Sequence, residues 1–243
     1  MRRILKFASS LAVAGLCFTA MAGTPQDRAD YLKEQTGGRV DDMVTLPTGA
    51  LQIMNTERGL VAMTSNGRFA VQGALYDTWQ MKELRSIKDV RYAATHIDTD
   101  SIDLDLSELS PLTFGAKELP QVTAFIDPAC KQCASLLRQM KQLSPRYHFN
   151  VVLIGIETPQ SGPLVPRLIC AGRKTAVDAL MTRDFSRLPK QVPAACDLDG
   201  ARRALIVSRV FNVTQTPFLI APDGQVRDTA PDSLTNWLNE HAL

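Results

Sequence analysis

The chain lacks long apolar runs, a large excess of either charge, internal repeats and low-complexity segments. Beyond residue 22 the longest apolar run is residues 151–156, whereas a membrane-spanning helix needs roughly 20 apolar residues. The 27 lysines and arginines nearly balance the 25 aspartates and glutamates, which gives no indication of a nucleic-acid partner. Three histidines, His96, His148 and His241, share no metal-ligand spacing, so we expect surface or hydrogen-bonded polar groups and neither a metal nor a cofactor.

Residues 1–22 have the pattern of a secretory signal peptide. Three basic residues lie within the first six positions, an apolar run follows over residues 7–19, and small residues lie at Ala20 and Ala22. The apolar run is shorter than a membrane anchor requires. We therefore predict export and cleavage near Ala22, which removes Cys17 and leaves an even set of four cysteines.

Residues 23–99 are predicted to form a small mixed α+β domain. A helix is expected over residues 26–35, and strands are expected over residues 51–54 and 60–63. Asn66-Gly67 lies between the strand-like residues 59–64 and 69–73, which is a strong signal for a β-hairpin. A domain of this size buries little core, so we expect its strands to pair with the same region of a second molecule.

Residues 100–116 are predicted to be a linker that includes a short helix. Acidic and apolar residues mix at irregular spacing over residues 100–109, and Ser110-Pro111 breaks the pattern. An extended strand is the alternative, because Ile102, Leu104 and Leu106 alternate with acids.

Residues 117–243 have the element order of a thioredoxin fold that carries a helical insertion. Buried strands are expected over residues 121–126 and 149–156, and between them a helix begins near Cys130 and ends at Pro145. This order predicts a parallel crossover unit. Pro159, Pro163 and Pro166 predict a loop, and residues 168–211 have a mostly helical composition. A strand at residues 218–221, a return strand at 225–227 and a helix from Asp232 or Ser233 complete the fold.

Cys130 and Cys133 form a Cys-Lys-Gln-Cys motif where the first strand gives way to the helix. A helix N-terminus offers unpaired N–H groups and a positive dipole end, which stabilise a thiolate. Lys131 adds positive charge, and Lys131 and Gln132 are expected to tune the pair. Since the thiolate is the species that attacks a disulfide, we predict Cys130 as the nucleophile and Cys133, which is expected to be more covered, as the resolving thiol.

Cys170 and Cys196 are assigned to a structural disulfide that closes a loop of roughly 27 residues. Four cysteines allow three pairings, so this assignment depends on keeping the motif pair together. A zinc site built from all four is the alternative, but structural zinc normally uses two closely spaced pairs. An inert structural disulfide within the motif also stays open, because export alone permits it.

Two residues near the motif have a predicted local role. Pro217, which follows Thr216, cannot donate to a β-ladder, which suits a rim beside a reactive site, and in a thioredoxin fold this proline faces the motif. Only that fold context favours a cis bond, since about 5 to 6 per cent of X-Pro bonds are cis. Asp127 is expected to serve the strand-to-helix turn, with an influence on proton transfer as the less favoured alternative.

The motifs together resemble the DsbC and DsbG family of periplasmic disulfide isomerases over nearly the whole chain after residue 22. The resemblance rests on the following residues: Asn66-Gly67, Gln72-Gly73 and Tyr76-Asp77 in the first domain, Phe125-Ile126-Asp127 before Cys130 to Cys133, then Cys170-Ala171, Cys196-Asp197 and Thr216-Pro217. It implies a structural disulfide between Cys170 and Cys196 and a cis-proline loop at Thr216 and Pro217 that contacts substrate.

The resemblance also implies a periplasmic V-shaped homodimer, joined through the first domains, whose cleft holds misfolded or multi-cysteine exported proteins. Cys130 would attack a wrong disulfide, and substrate or Cys133 would resolve the mixed disulfide. A membrane electron donor of the DsbD type is the implied reductant. The sequence departs from the family at Gln132, where the family usually has an aromatic residue. The residues between the cysteines help to set the reduction potential, so this departure affects the balance between isomerase, reductase and oxidase activity.

Three functions compete with a disulfide isomerase or reductase: a chaperone-like assembly factor for exported multi-cysteine proteins, a reductase of oxidised single thiols, and a DsbA-like oxidase. The predicted dimerisation domain argues against the oxidase. The assembly factor stays open, because the cleft of a dimer could hold a client without any exchange. The single-thiol reductase stays open as well, because broken disulfides and oxidised single thiols are attacked by the same thiolate.

Overall fold

The computed structural model describes residues 30–241 except residues 32, 36 and 38. The signal peptide, residues 1–22, lies outside the described residues, as does part of the helix predicted over residues 26–35. The backbone at residues 30, 31 and 33–35 is helical. No helix within the described part of the chain is long and apolar enough to cross a membrane.

The strands and helices form two groups along the chain. The strands are β1 Val40–Thr45, β2 Leu51–Thr56, β3 Gly59–Thr64, β4 Ala70–Gln72, β5 Leu75–Asp77, β6 Lys82–Leu84, β7 Leu112–Phe114, β8 Gln121–Ile126, β9 His148–Leu153, β10 Phe218–Ile220 and β11 Val226–Arg227. The α-helices are α1 Ile87–Thr95, α2 Cys133–Leu143, α3 Ser161–Cys170, α4 Arg173–Thr182, α5 Asp199–Val210 and α6 Leu234–Glu240, and a 3-10 helix spans Leu106–Leu109.

The first group is a four-stranded antiparallel sheet in the order β1-β2-β3-β4, against which α1 packs. Its small core consists of Val44, Ile53, Leu84 and Val90. The predicted hairpin is confirmed, because β3 and β4 pair on either side of Gly67, whose φ of 68° favours glycine. Since β4 has no further partner within the described chain, the sheet ends there on an exposed edge.

Three elements of this first group are absent from the sequence predictions: β1, the β5–β6 hairpin and α1. The start of α1 is fixed by a capping box, in which the Ser86 hydroxyl accepts from the Asp89 N–H and the Asp89 carboxylate accepts from the Ser86 N–H. Such a Ser-x-x-Asp pattern is a readable start signal. The predicted sheet is therefore confirmed. A helix that the sequence did not predict, α1, follows its strands in the chain.

The connection between the groups contains the turn and short helix predicted for it, and the alternative of an extended strand is wrong. Ile102, Leu104 and Leu106 pack against a buried cluster of the second sheet instead of alternating along a strand. The segment predicted as a linker over residues 100–116 also contains β7, which pairs with β9 at the edge of that sheet. A three-residue strand next to Pro111 is too short to show a period.

The second group is a five-stranded sheet in the order β11-β10-β8-β9-β7. Strands β8 and β9 are parallel and the other pairs are antiparallel, so β8, α2 and β9 form the predicted crossover unit. Helices α2, α4 and α6 contribute to the buried cluster on one face. Helix α5 contributes to the cluster on the other face, around Phe125 and Phe211. This is the predicted thioredoxin-like fold with a helical insertion, α3 and α4, after β9.

The loop predicted from Pro159, Pro163 and Pro166 is wrong over most of its length, because α3 spans Ser161–Cys170. Pro163 is the third residue of the helix, where backbone N–H groups have no intrahelical partner, so proline costs no hydrogen bond there. Pro166 does remove one bond, but Val165 and Leu168 bury the face of the helix that packs on the core.

Candidate active site

The Cys-Lys-Gln-Cys motif lies at the carboxyl end of β8, in the turn that leads into α2. The N–H of Cys130 donates to the carbonyl of Asp127 at 3.0 Å, which closes the turn. The prediction that α2 begins near Cys130 is wrong by about one turn, because its first residue is Cys133. Pro128 and the turn hydrogen bond account for this delay, since Cys130 is still in the turn and not yet in helical backbone.

Cys130 and Cys133 are joined by a disulfide, with an S–S distance of 2.07 Å. The N–H of Cys133 points at Cys130 Sγ from 3.2 Å, so the sulfur faces the first N–H group of α2 as the sequence predicted. In this oxidised state Cys130 is 4% exposed and Cys133 is 3% exposed. The expected difference in cover between the two is therefore slight. Lys131 and Gln132 are both exposed beside the pair.

Thr216 and Pro217 lie against the motif, and the bond between them is cis. Cys130 Sγ is 3.6 Å from the carbonyl oxygen of Thr216. Pro217 is buried and leads directly into β10, the neighbour of β8. The structure thus brings together all of the residues of the motif and the proline loop, which are 86 positions apart in sequence between Cys130 and Thr216.

The carboxylate of Asp127 supports this arrangement from below and is only 1% exposed. Its Oδ1 accepts from the N–H of Ala129 at 2.7 Å. Its Oδ2 accepts from the N–H groups of Ile156 at 2.7 Å and Glu157 at 2.8 Å. The turn role expected for Asp127 is confirmed, although the side chain is buried and not solvated, and it also holds the loop after β9.

Glu157 and Arg183 reach the motif from distant parts of the chain, and no local pattern in the sequence singled them out. The Glu157 carboxylate accepts a hydrogen bond from the Thr216 hydroxyl. Arg183 donates from Nη2 to the carbonyl of Ala129 at 3.2 Å. Both side chains are charged, so an acid contacts the proline loop and a base contacts the turn that holds Cys130. Only the fold brings these residues together.

A second disulfide joins Cys170, the last residue of α3, to Cys196, with Cα atoms 5.9 Å apart. The crossed pairings and the four-cysteine zinc site that the sequence left open are therefore not formed. No cluster of metal-ligating side chains occurs within residues 30–241 where they are described. The three histidines are hydrogen-bonded, as expected: His96 to the Tyr92 carbonyl, His148 to the Gly115 carbonyl and His241 to Asp223.

Comparison with known proteins gives a relative with the predicted chemistry. The chain is 28% identical over 186 residues to the thiol:disulfide interchange protein DsbC of Dickeya dadantii, which covers 74% of this chain and 71% of the relative. No protein-family model matches the chain. This relative confirms the similarity to DsbC that the motifs predicted.

Similar solved structures include a disulfide interchange protein from Neisseria gonorrhoeae, 16% identical, which covers 57% of this chain and 98% of that chain with a TM-score of 0.47. Proteus mirabilis ScsC in a compact conformation is 14% identical, with 60% of this chain and 80% of that chain covered and a TM-score of 0.47. The fold assignment rests on the strand order and the parallel β8–β9 pair, and not on these similarities.

Proposed function

We propose that this thiol–disulfide oxidoreductase, a relative of DsbC, is a periplasmic protein disulfide isomerase and reductase in which Cys130 is the nucleophile and Cys133 the resolving thiol. The observation that carries the proposal is the contact of Cys130 Sγ with two backbone groups, the N–H of Cys133 at 3.2 Å and the carbonyl of Thr216 at 3.6 Å. The first group stabilises a thiolate, and the second belongs to the loop beside which a substrate chain would lie.

The reaction begins from the reduced pair. The Cys130 thiolate attacks one sulfur of a substrate disulfide, a mixed disulfide forms, and the other substrate sulfur leaves as a thiolate. A second substrate thiolate then attacks the mixed disulfide and releases Cys130, which isomerises the substrate. Alternatively the Cys133 thiolate attacks Cys130 Sγ, which gives reduced substrate and the Cys130–Cys133 disulfide seen in the structure. Each step breaks one S–S bond and forms another, so no step needs an external oxidant or reductant.

Roles for the residues around the pair follow from their positions. Thr216 and Pro217 would present the backbone along which a substrate chain aligns next to Cys130. Lys131 and Gln132 are exposed between the cysteines, so Lys131 adds positive charge near the thiolate and both touch incoming substrate. Cys170 and Cys196 form a structural disulfide away from this exchange.

The protein would act as a homodimer joined at β4. All three residues of β4 are exposed, and its outer backbone groups have no partner within the described chain. Phe69 is 57% exposed and Val71 is 68% exposed on or beside this strand. Exposed apolar edge strands pair readily with another chain, and a second copy would cover this one. The space between the two subunits would then receive misfolded or multi-cysteine exported proteins.

A periplasmic location and a reductant of the DsbD type complete the proposal. The basic and apolar pattern of residues 1–22 supports export, and the structural disulfides of substrate proteins form and persist in an oxidising compartment. An isomerase of this kind must be kept reduced there, because Cys130 attacks only as a thiolate. A membrane-bound electron donor would return electrons to the Cys130–Cys133 pair after each reductive cycle.

The test compares insulin reduction and recovery of scrambled ribonuclease by the wild type and by Cys130→Ser, Cys133→Ser and a Cys170→Ser/Cys196→Ser double variant. We expect Cys130→Ser to abolish both activities and Cys133→Ser to accumulate mixed disulfides. The double variant is the matched control, and it should keep both activities at temperatures where it stays folded. Retained activity of Cys130→Ser would contradict the proposal.

The same samples separate the competing functions. A chaperone-like assembly factor would suppress aggregation equally well as a Cys130→Ser/Cys133→Ser variant and would not recover ribonuclease. A reductase of oxidised single thiols would reduce a protein sulfenic acid but leave scrambled ribonuclease unchanged. Light scattering tests the dimer: Val71→Lys should give monomers, whereas Ile206→Lys, at a similarly exposed apolar position on α5, should not.

A further inference from the structure

The helical insertion packs directly against the helix that carries Cys133. In α4, Ala176, Ala179 and Leu180 are buried in the same cluster as Cys133 and Leu137 of α2. Helix α4 ends at Thr182, and Arg183 follows it with a left-handed φ of 60°. The carboxyl end of the insertion, and Arg183 after it, therefore lie next to the turn that contains Cys130.

Two arginines make hydrogen bonds across this contact, one from α2 and the other from the residue that follows α4. Arg138, on α2, donates from Nη2 to the carbonyl of Met181 at 3.3 Å. Arg183 donates from Nη2 to the carbonyl of Ala129 at 3.2 Å. The two hydrogen bonds are alike in type, in length and in the exposure of the arginine. They differ in one respect: only the Arg183 guanidinium contacts the peptide group that connects Ala129 to Cys130.

We propose that the positive charge of the Arg183 guanidinium stabilises the Cys130 thiolate. The hydrogen bond to the Ala129 carbonyl holds the guanidinium in position for this effect. The inference rests on the proposed function of Cys130 as nucleophile. A guanidinium stays charged at every physiological pH, and a positive charge close to a thiolate favours the ionised form. The hydrogen bond to Ala129 holds that charge in place, whereas the Lys131 side chain beside it is exposed and makes no hydrogen bond that fixes it.

Other charged groups face Cys130 and set the background for this effect. Lys131 adds a positive charge from the motif itself. Glu157 adds a negative charge from the loop after β9, through its hydrogen bond with the Thr216 hydroxyl. Asp127 lies beneath the turn and accepts three backbone hydrogen bonds. Since Glu157 and Asp127 both oppose a thiolate, the positive charge of Arg183 offsets an acidic surrounding.

The competing explanation is that Arg183 only clamps the insertion to the catalytic turn. A clamp and a charge make different predictions for substitutions. Loss of a clamp should affect stability in the same way for any residue that cannot make the hydrogen bond. Loss of a charge should change the ionisation of Cys130 in proportion to the charge that replaces it.

The experiment measures the pKa of Cys130 in the reduced full-length protein, from the pH dependence of iodoacetamide labelling of the peptide that carries it. Wild type is compared with Arg183→Lys, Arg183→Gln and Arg183→Glu, with Arg138→Gln as the matched control. We expect Arg183→Gln to lower the acid dissociation constant of Cys130 about three- to tenfold, because the charge is close but partly screened by solvent. Arg183→Glu should lower this constant further, and Arg183→Lys should keep it close to the wild-type value. Arg138→Gln should leave the constant unchanged.

Equal pKa values for Cys130 in the Lys, Gln and Glu variants would overturn the inference and leave Arg183 as a clamp. If the Gln variant does not fold, the comparison of Lys with Glu decides alone, since both lose the arginine geometry and differ in charge. Failure of the proposed function has a different signature. In that case wild-type Cys130 is itself unreactive and neither insulin nor ribonuclease is processed, whatever residue stands at position 183.

Discussion

The Asp127 carboxylate accepts a hydrogen bond from the N–H of Glu157 at 2.8 Å, across 30 positions of sequence. This bond links the turn before Cys130 to the loop whose Glu157 side chain contacts Thr216. One buried side chain therefore joins the end of β8, the loop after β9 and, through Glu157, the proline loop. The relative positions of Cys130 and Pro217 depend on it.

Replacing Asp127 with alanine should destabilise the protein strongly. Three backbone N–H groups, those of Ala129, Ile156 and Glu157, would lose their carboxylate acceptor at a part-buried place. A hydrogen bond to a charged group contributes about 1.5 to 3 kcal/mol, and water can replace part of this at the exposed residues Ile156 and Glu157, so the free energy of unfolding should fall by about 2 to 3 kcal/mol. Urea denaturation of the oxidised protein measures the change.

Asp105→Ala is the control for that measurement, because Asp105 is an exposed cap that accepts only from Ser107. Its loss should cost about 1 kcal/mol or less. If both variants lost the same stability, the joining role of Asp127 would be refuted.

Removal of the second disulfide, by Cys170→Ala with Cys196→Ala, should lower stability without ending the chemistry. The bond closes a loop of 26 positions, for which the chain-entropy model gives about 3.5 kcal/mol. The free energy of unfolding should fall by that order in urea titrations. At temperatures where the variant is folded, insulin reduction should persist, because Cys130 and Cys133 are unchanged. An inactive but fully folded variant would mean that Cys170 and Cys196 take part in exchange.

Stability should depend on pH through the capping box of α1. The pKa of Asp89 lies below its ordinary value of 3.8, first because the Ser86 hydroxyl donates to its carboxylate and then because the Arg85 N–H does. A carboxyl group whose pKa is lower in the folded state stabilises the fold above the unfolded pKa, and this contribution is lost as the pH falls through the folded pKa. The loss should therefore begin below about pH 4.

Ser86→Ala should raise the pKa of Asp89 towards 3.8, because it removes the largest cause of the shift. A carboxyl titration by nuclear magnetic resonance, read at Asp89, checks this directly. In urea titrations at falling pH, the variant should lose less stability between neutral and acid conditions than the wild type does. A pKa that stays in place after the substitution would show that Ser86 is not the cause.

Glu157→Gln should have the opposite effect on Cys130 to that of Arg183→Gln. The amide keeps a hydrogen-bond acceptor for the Thr216 hydroxyl but removes the negative charge. The Cys130 thiolate should then form at lower pH, by roughly half a unit to one unit at this partly exposed place. Labelling with iodoacetamide against pH is the measurement. A shift to higher pH would contradict the assigned effect of the Glu157 charge.

The sequence is enough to predict the Cys130–Cys133 pair and the thioredoxin-like fold that carries it, because both leave local signals. Two cysteines three apart after a buried strand, and the repeat of Ala134, Leu137 and Met140, are readable without a structure. The parallel pairing of β8 with β9 then follows from the crossover rule. Even the small hairpin at Asn66-Gly67 is predicted from its turn residues alone.

Other features escape the sequence because their cause is tertiary. Pro163 and Pro166 signal a loop locally, yet burial of Val165 and Leu168 makes the segment a helix. Strand β7 is only three residues long, and its partner β9 lies far along the chain. Glu157 and Arg183 look like ordinary surface charges in the sequence. Glu157 contacts the proline loop and Arg183 contacts the turn before Cys130 only because the fold brings distant parts of the chain together.

The two groups of strands contact each other at several places, and at one of them His96 bridges to Gln225 and the Ile97 N–H donates to the Gly224 carbonyl at 2.8 Å. A side chain at position 224 would come within 2.9 Å of the Ile97 carbonyl, and φ there is +87°, so glycine is required. In the proposed dimer paired through β4, this contact would help to set the angle at which each second sheet leaves the shared first sheet. In that proposed dimer, the opening between the two Cys130–Cys133 pairs, and with it the size of client that fits, would depend in part on a contact that involves neither cysteine.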